Sequence, residues 1–182
     1  MQLPSFVYHP DPISTGSIVS SETTCKVCGQ NRGFIYVGPV YAKQREELNN
    51  SICPWCIADG SAHQQFGAEF TDPAGIGNYG FWEKVPVEII EKVAFQTPGF
   101  LGWQQEVWFT HCNDAAAFLG RLGYKELNDY GEEAINSQKK ETRVPEEYWL
   151  EFLHALDKDG SPTAYLFKCI HCGKLGGYTD AD

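Results

Sequence analysis

Cys25-Lys26-Val27-Cys28-Gly29 and, after a further 24 residues, Cys53-Pro54-Trp55-Cys56 place four thiols in two close pairs. A two-residue gap lets both sulfurs of a pair face one ion, and zinc takes four such ligands in a tetrahedron. Thiolate is a soft donor, which favours zinc over Mg²⁺ or Ca²⁺. Gly29 allows the backbone to fold tightly over the metal. Residues 34–41, Phe-Ile-Tyr-Val-Gly-Pro-Val-Tyr, read as a hairpin interrupted at Gly38-Pro39. Cys53 then opens a helix that runs from Ile57 to about Phe66, with Pro54 suited to its first turn. A glycine-ended knuckle, a hairpin and a cysteine pair at a helix N-terminus follow the order of a treble clef. The positive end of that helix also favours thiolate. A redox reading competes. Cys53-Pro54-Trp55-Cys56 has the form of a glutaredoxin-type dithiol, and thiol–disulfide exchange through Cys53 and Cys56 is an alternative function. No βαβ unit surrounds the motif, which counts against it.

Cys112, Cys169 and Cys172 form a second set. Cys169-Ile170-His171-Cys172-Gly173 is another glycine-ended knuckle, and Cys112-Asn113-Asp114 is expected to start a helix with Ala115–Leu122 as its body and Gly123 as its stop. Three cysteines need a fourth partner. His111, adjacent to Cys112, is the first choice; His9, Asp114, or a water or substrate are the others. His171 lies between two candidate ligands and is expected to point away. An open fourth position would make this a metalloenzyme, because catalytic zinc keeps one. The two knuckles could also share a single ion. Asp59 and His63, at i and i+4, are expected on one helix face. Glu106 and His111 are candidate acid–base partners. The dense aromatics and amides of Trp103–Trp108 fit a core better than a groove.

The 182 residues, 42% of them hydrophobic, suffice for a single domain, 1–182, with a first zinc module over 20–70 and a second over 100–182. The fold class expected is α+β: a small zinc-stapled fold with treble-clef-like modules. Pro86 to about Phe95 reads as a helix, 125–140 as a charged helix, Glu146–Leu156 as an amphipathic helix and Ala164–Lys168 as a strand. The N-terminus lacks the basic and apolar regions of a secretory signal, and no stretch is long and apolar enough for a membrane span, so a cytoplasmic, membrane-free protein is expected. In that compartment thiols stay reduced, and an odd count of seven cysteines suits metal binding better than disulfides. The net charge is −10, divided evenly between the two halves of the chain. This disfavours nucleic acid, whose binding rests on Lys and Arg, and suits a basic protein partner. Oligomeric state is not encoded in any pattern here. No His-x-Glu precedes the Cys pairs, so the zinc-deaminase pattern is absent, as are a phosphate loop and a Gly-x-Ser-x-Gly elbow.

Longer blocks are similar to the bacterial CbrC family. They are Tyr8-His9-Pro10-Asp11-Pro12, Tyr36-Val37-Gly38-Pro39-Val40-Tyr41, Cys53-Pro54-Trp55-Cys56-Ile57-Ala58-Asp59-Gly60-Ser61-Ala62, Thr97-Pro98-Gly99, Trp103-Gln104-Gln105-Glu106 and His111-Cys112-Asn113-Asp114 followed by Phe118-Leu119-Gly120. The resemblance runs from Phe6 to Cys172. It implies a stress, toxin-tolerance or immunity role, associated with colicin tolerance, and supplies no catalytic residues.

Overall fold

The computed structural model describes residues 2–142 and 144–182. Strand β1 (Ile18–Ser20) pairs antiparallel with β2 (Phe34–Tyr36), and the first knuckle lies in the loop between them. The hairpin expected within 34–41 does not form. Tyr36 N–H donates to the Ile52 carbonyl and Val37 N–H to Ser17, so β2 is already partnered from both sides. Pro39 has no N–H to offer a ladder. Tyr41 instead bridges to Glu69.

Three short helices follow: α1 (Arg45–Leu48), α2 (Pro54–Ala58) and α3 (Ser61–Phe66). The continuous helix expected from Ile57 to Phe66 is two helices, because Gly60 takes a left-handed φ of 76°. Asp59 turns back to accept from Ser61 N–H, and His63 stacks on Phe95 at 3.7 Å, so Asp59 and His63 do not share a helix face.

Helix α4 (Val87–Gln96) begins after Pro86 as expected and buries Val93 and Ala94. The segment from 97 to 109 is irregular. Trp108 is fully buried, whereas Trp103 is 42% exposed and donates its indole N–H to Gly160 and Thr163. Then come β3 (Thr110–His111), β4 (Asp114–Ala115) and β5 (Ala117–Leu122). The helix expected from Cys112 is therefore absent. Cys112 and Asn113 both have positive φ, 57° and 58°, and join β3 to β4 through a two-residue turn. Positive φ at both central residues is what a type I′ hairpin turn requires. The apolar run that follows is compatible with a helix or a buried strand on pattern alone. Pairing with β6 decides for the strand.

Helices α5 (Tyr124–Tyr130), α6 (Glu132–Glu141) and α7 (Trp149–Ala155) precede β6 (Thr163–Lys168) and β7 (Leu175–Asp180). The antiparallel order is β5-β6-β7. Every residue of β6 from Thr163 to Phe167 is buried, because both sheet faces are covered. Successive strand residues point to opposite faces. Tyr165 and Phe167 join an aromatic core with Phe100, Trp108 and Phe118, while Ala164 and Leu166 pack with Leu127, Trp149 and Leu153. The chain is thus α+β, with no helix among the described residues long and apolar enough to cross a membrane.

A part-buried polar contact joins Tyr41 to Glu106, 65 residues apart in the chain. Tyr41 hydroxyl lies 2.7 and 2.8 Å from the two carboxylate oxygens of Glu106, which is 3% exposed. Burial pushes the Glu106 carboxyl above the usual range, and the hydroxyl partly offsets this. Tyr41→Phe strips the carboxylate of that donor. It is expected to lower the unfolding free energy by about 2 kcal/mol in urea titrations, the usual cost of orphaning a buried acceptor.

Candidate metal centres

The first knuckle is closed by backbone hydrogen bonds from Cys25 N–H to Gln30 and from Gly29 N–H to Cys25. The second repeats them at the same spacing, from Cys169 N–H to Lys174 and from Gly173 N–H to Cys169. Both require a left-handed glycine, with φ of 67° at Gly29 and 78° at Gly173. This local geometry splays the two sulfurs toward one side. The middle pair differs. Cys53 is the N-cap of α2 and Cys56 lies within it, with Pro54 in the first turn.

The sulfurs of Cys25, Cys28, Cys53 and Cys56 lie within 4.8 Å of one another. Individual separations are 3.9 Å for Cys25–Cys56, 3.8 Å for Cys28–Cys53 and 3.5 Å for Cys53–Cys56. A tetrahedron with metal–sulfur bonds of about 2.3 Å has edges of roughly 3.8 Å, whereas a disulfide is about 2.05 Å long. The four thiols therefore have the spacing of a metal site, and all are free. Three of them are buried, among Ile18, Ile35, Leu48, Ile52, Ile57 and Phe70. The Cys25 thiol is drawn down to about 4 by the Cys53 thiol and by the backbone N–H groups of Cys28, Cys53 and Val27, against the opposing effect of burial. Cys53 is pushed up, because it donates to Cys25 and is buried.

The second cluster brings together His111, Cys112, Cys169 and Cys172, again within 4.8 Å. It is built from two hairpin tips, β3–β4 and β6–β7, and contains no helix end. His111 Nδ1 lies 3.2 Å from Cys112 Sγ and 3.5 Å from Cys172 Sγ. With metal–nitrogen and metal–sulfur bonds of about 2.05 and 2.3 Å, a tetrahedral edge is roughly 3.5 Å. Burial raises the Cys169 thiol, but N–H groups of Cys172 and His171 and the side chains of His111 and Cys172 outweigh it and bring the thiol down to about 6. Each cluster could hold one metal ion. The knuckles do not share a site.

The alternatives for the fourth partner are engaged elsewhere. Asp114 accepts from Tyr8 hydroxyl at 2.8 Å and pairs at 2.8 Å with His171, which thereby points away from the sulfurs. His9 is fully buried, with Nδ1 2.7 Å from the Pro98 carbonyl and Nε2 2.6 Å from Thr15 Oγ1. Burial lowers its pKa to about 4. The unfolded chain, with a histidine pKa of about 6.5, takes up this proton first as pH falls. His9 thus adds stability that is complete above about pH 6.5 and is lost down to about pH 4. Denaturant titrations across that window are expected to show a loss of about 3 kcal/mol that depends on His9.

Glu106 is held by Tyr41, and the carboxylate beside His111 is Glu83. Its Oε1 lies 3.9 Å from His111 Nε2, and its Oε2 accepts from Asn113 N–H at 3.0 Å. Lys174 Nζ approaches the same Nε2 at 3.4 Å. Glu83 sits 28 residues before His111 in an irregular stretch, and no local pattern marks it.

A UPF0167 protein from Mycobacterium bovis is 48% identical over 181 residues, covering 98% of this chain and 94% of the relative. One from Mycobacterium tuberculosis matches to the same extent. One from Pseudomonas aeruginosa is 41% identical over 173 residues, covering 94% and 93%. No solved structure matches the chain significantly. A family model described as "Uncharacterised protein family (UPF0167)" matches residues 3–181, and the chain belongs to that family.

Proposed function

We propose that this is a zinc protein with two structural ions, which works by binding another protein in the stress or toxin-tolerance role implied by the resemblance to the CbrC family, taken here as the same family as UPF0167. The observation that carries the reading is that each donor set is complete within the chain: four thiols in one cluster, three thiols and an imidazole nitrogen in the other. Soft sulfur with imidazole in a tetrahedral arrangement suits zinc. Four protein donors per ion leave no position for water or substrate, which argues against a catalytic zinc at Cys112, Cys169 and Cys172. Bound zinc would supply cross-linking of short segments rather than chemistry. Thiol exchange is also disfavoured. Cys53 is fully buried, and its sulfur packs against those of Cys56 at 3.5 Å and Cys28 at 3.8 Å rather than facing solvent.

With both clusters read as structural, function falls to the surface. The net charge of −10 suits electrostatic steering of a basic partner. Elemental analysis of purified protein should find two zinc ions per chain. Affinity capture from cells should recover a basic protein, and charge reversal of surface acids should weaken that capture and the tolerance phenotype together. Recovery of no partner, with the phenotype intact after charge reversal, would sink the interaction reading. Absence of zinc would sink the metal reading.

A further inference from the structure

A groove of about 420 Å³ lies beside the second cluster, lined by the segments 81–83, 109–111 and 174–176 and by α6. This is within the size range of small-molecule sites. Trp82 and Phe109 meet there edge to face at 5.2 Å. Phe81 stands at its border and is 78% exposed, the most exposed of the large apolar side chains among the described residues. The backbone puts it there. Gly77, Asn78, Tyr79 and Gly80 all have positive φ, from 49° to 92°, and two of the four are not glycine. L residues disfavour this conformation, and strain of this kind concentrates at functional segments. Hydrogen bonds from Gly77 N–H to Trp108 and from Trp82 N–H to Gly77 hold the turn in place.

The polar groups of the groove are unevenly satisfied. Glu141 accepts from Trp82 Nε1 at 3.0 Å, and Glu83 accepts from Asn113 N–H. Among the described residues, no carboxylate pairs with the ammonium of Lys140 or of Lys174. A histidine that gives Nδ1 to a metal carries its hydrogen on Nε2. His111 Nε2–H and the Lys174 ammonium, 3.4 Å apart, are then two donors that cannot satisfy each other. Glu83 Oε1, at 3.9 Å from Nε2, is beyond hydrogen-bond reach. An acceptor oxygen between the two donors would satisfy both.

We infer that the groove binds a small aromatic carboxylate. Its ring lies against Trp82 and Phe109 under Phe81, and its carboxylate accepts from Lys174 and from His111 Nε2–H. This rests on the reading that His111 ligates a metal through Nδ1. Such a group could be a free aromatic acid or the carboxyl-terminal aromatic residue of a chain, and the two sources are separable.

The test is isothermal titration of the full chain, with zinc measured on the same sample, using 3-phenylpropionate, N-acetylphenylalanine and N-acetylphenylalaninamide. The two-zinc protein should bind 3-phenylpropionate, and Lys174→Gln should weaken this roughly tenfold, the usual loss of a charged hydrogen bond. Phe81→Ser, at an exposed position that folding does not need, should weaken binding by a similar factor. Equal binding of N-acetylphenylalanine, with the amide at least tenfold weaker, assigns the site to a chain terminus; binding of 3-phenylpropionate alone assigns it to a free acid. Two-zinc protein that binds none of the three, or binds acid and amide alike, overturns the inference and leaves the metal reading standing. Protein that holds only the first zinc overturns the reading of His111, and this inference with it.

Discussion

Cys25→Ser and Cys56→Ser are each expected to abolish the folded amino-terminal core, with loss of its near-ultraviolet circular dichroism and of a cooperative melt. Cys25 and Cys56 are 1% and 2% exposed and pack inside the cluster of Ile18, Ile35, Leu48, Ile52, Ile57 and Phe70. The elements around them are very short: three residues each in β1 and β2, and five in α2. Helices and hairpins of that length have little stability of their own. Structural zinc contributes on the order of 10 kcal/mol of folding free energy, comparable with the whole stability of a domain, about 5–15 kcal/mol. Serine cannot replace a thiolate as a soft ligand, and it leaves a hydroxyl in an apolar site. Chelation of the wild-type protein should reproduce the loss. A mutant Tm within about 5 °C of wild type would contradict a structural role for this cluster.

Cys112→Ser is expected to behave differently: metal content falls from two ions per chain to one, while far-ultraviolet circular dichroism and the aromatic near-ultraviolet signal are retained. The second cluster sits at two hairpin tips, and Cys112 and Cys172 are exposed. The aromatic core beneath it is formed by Phe100, Trp108, Phe118, Tyr165 and Phe167, with Phe100 and Phe118 stacked at 3.9 Å. That core does not depend on the cysteines. A bound ion would restrain the tips, and its loss should lower Tm modestly. Cys169→Ser should cost more than Cys112→Ser, because Cys169 is 2% exposed and its hydroxyl replacement would be buried. Global unfolding of Cys112→Ser would show that the second cluster, too, holds the fold together.

The contrast between these predictions follows from burial, which the cysteine spacing does not reveal. Both knuckles look alike in sequence, and both form the same hydrogen bonds. One is embedded in a core of short elements. The other caps a three-stranded sheet that has its own aromatic filling.

The helices over 87–96 and 149–155 and the strand over 163–168 were legible, because their apolar periodicity reports the face they bury. Helix 57–66 failed at Gly60, where one left-handed residue outweighs the helix propensity around it. The segment 112–122 failed for a different reason. Alanine and leucine suit a helix, yet two left-handed residues at Cys112 and Asn113 turn the chain into a hairpin, and β6 supplies the hydrogen-bond partner.

By itself the sequence determined that two Cys-x-x-Cys-Gly knuckles form and that a third pair caps a helix. Those geometries close through hydrogen bonds spanning four or five residues, so local chemistry is sufficient. The tertiary structure alone decided which pairs combine. It also placed His111, rather than His9, Asp114 or His171, beside the three thiols and brought Glu83 and Lys174 to its ring. Those choices depend on contacts between segments as much as 63 residues apart, such as His111 with Lys174. Such contacts are set by strand pairing and core packing, which no local spacing encodes.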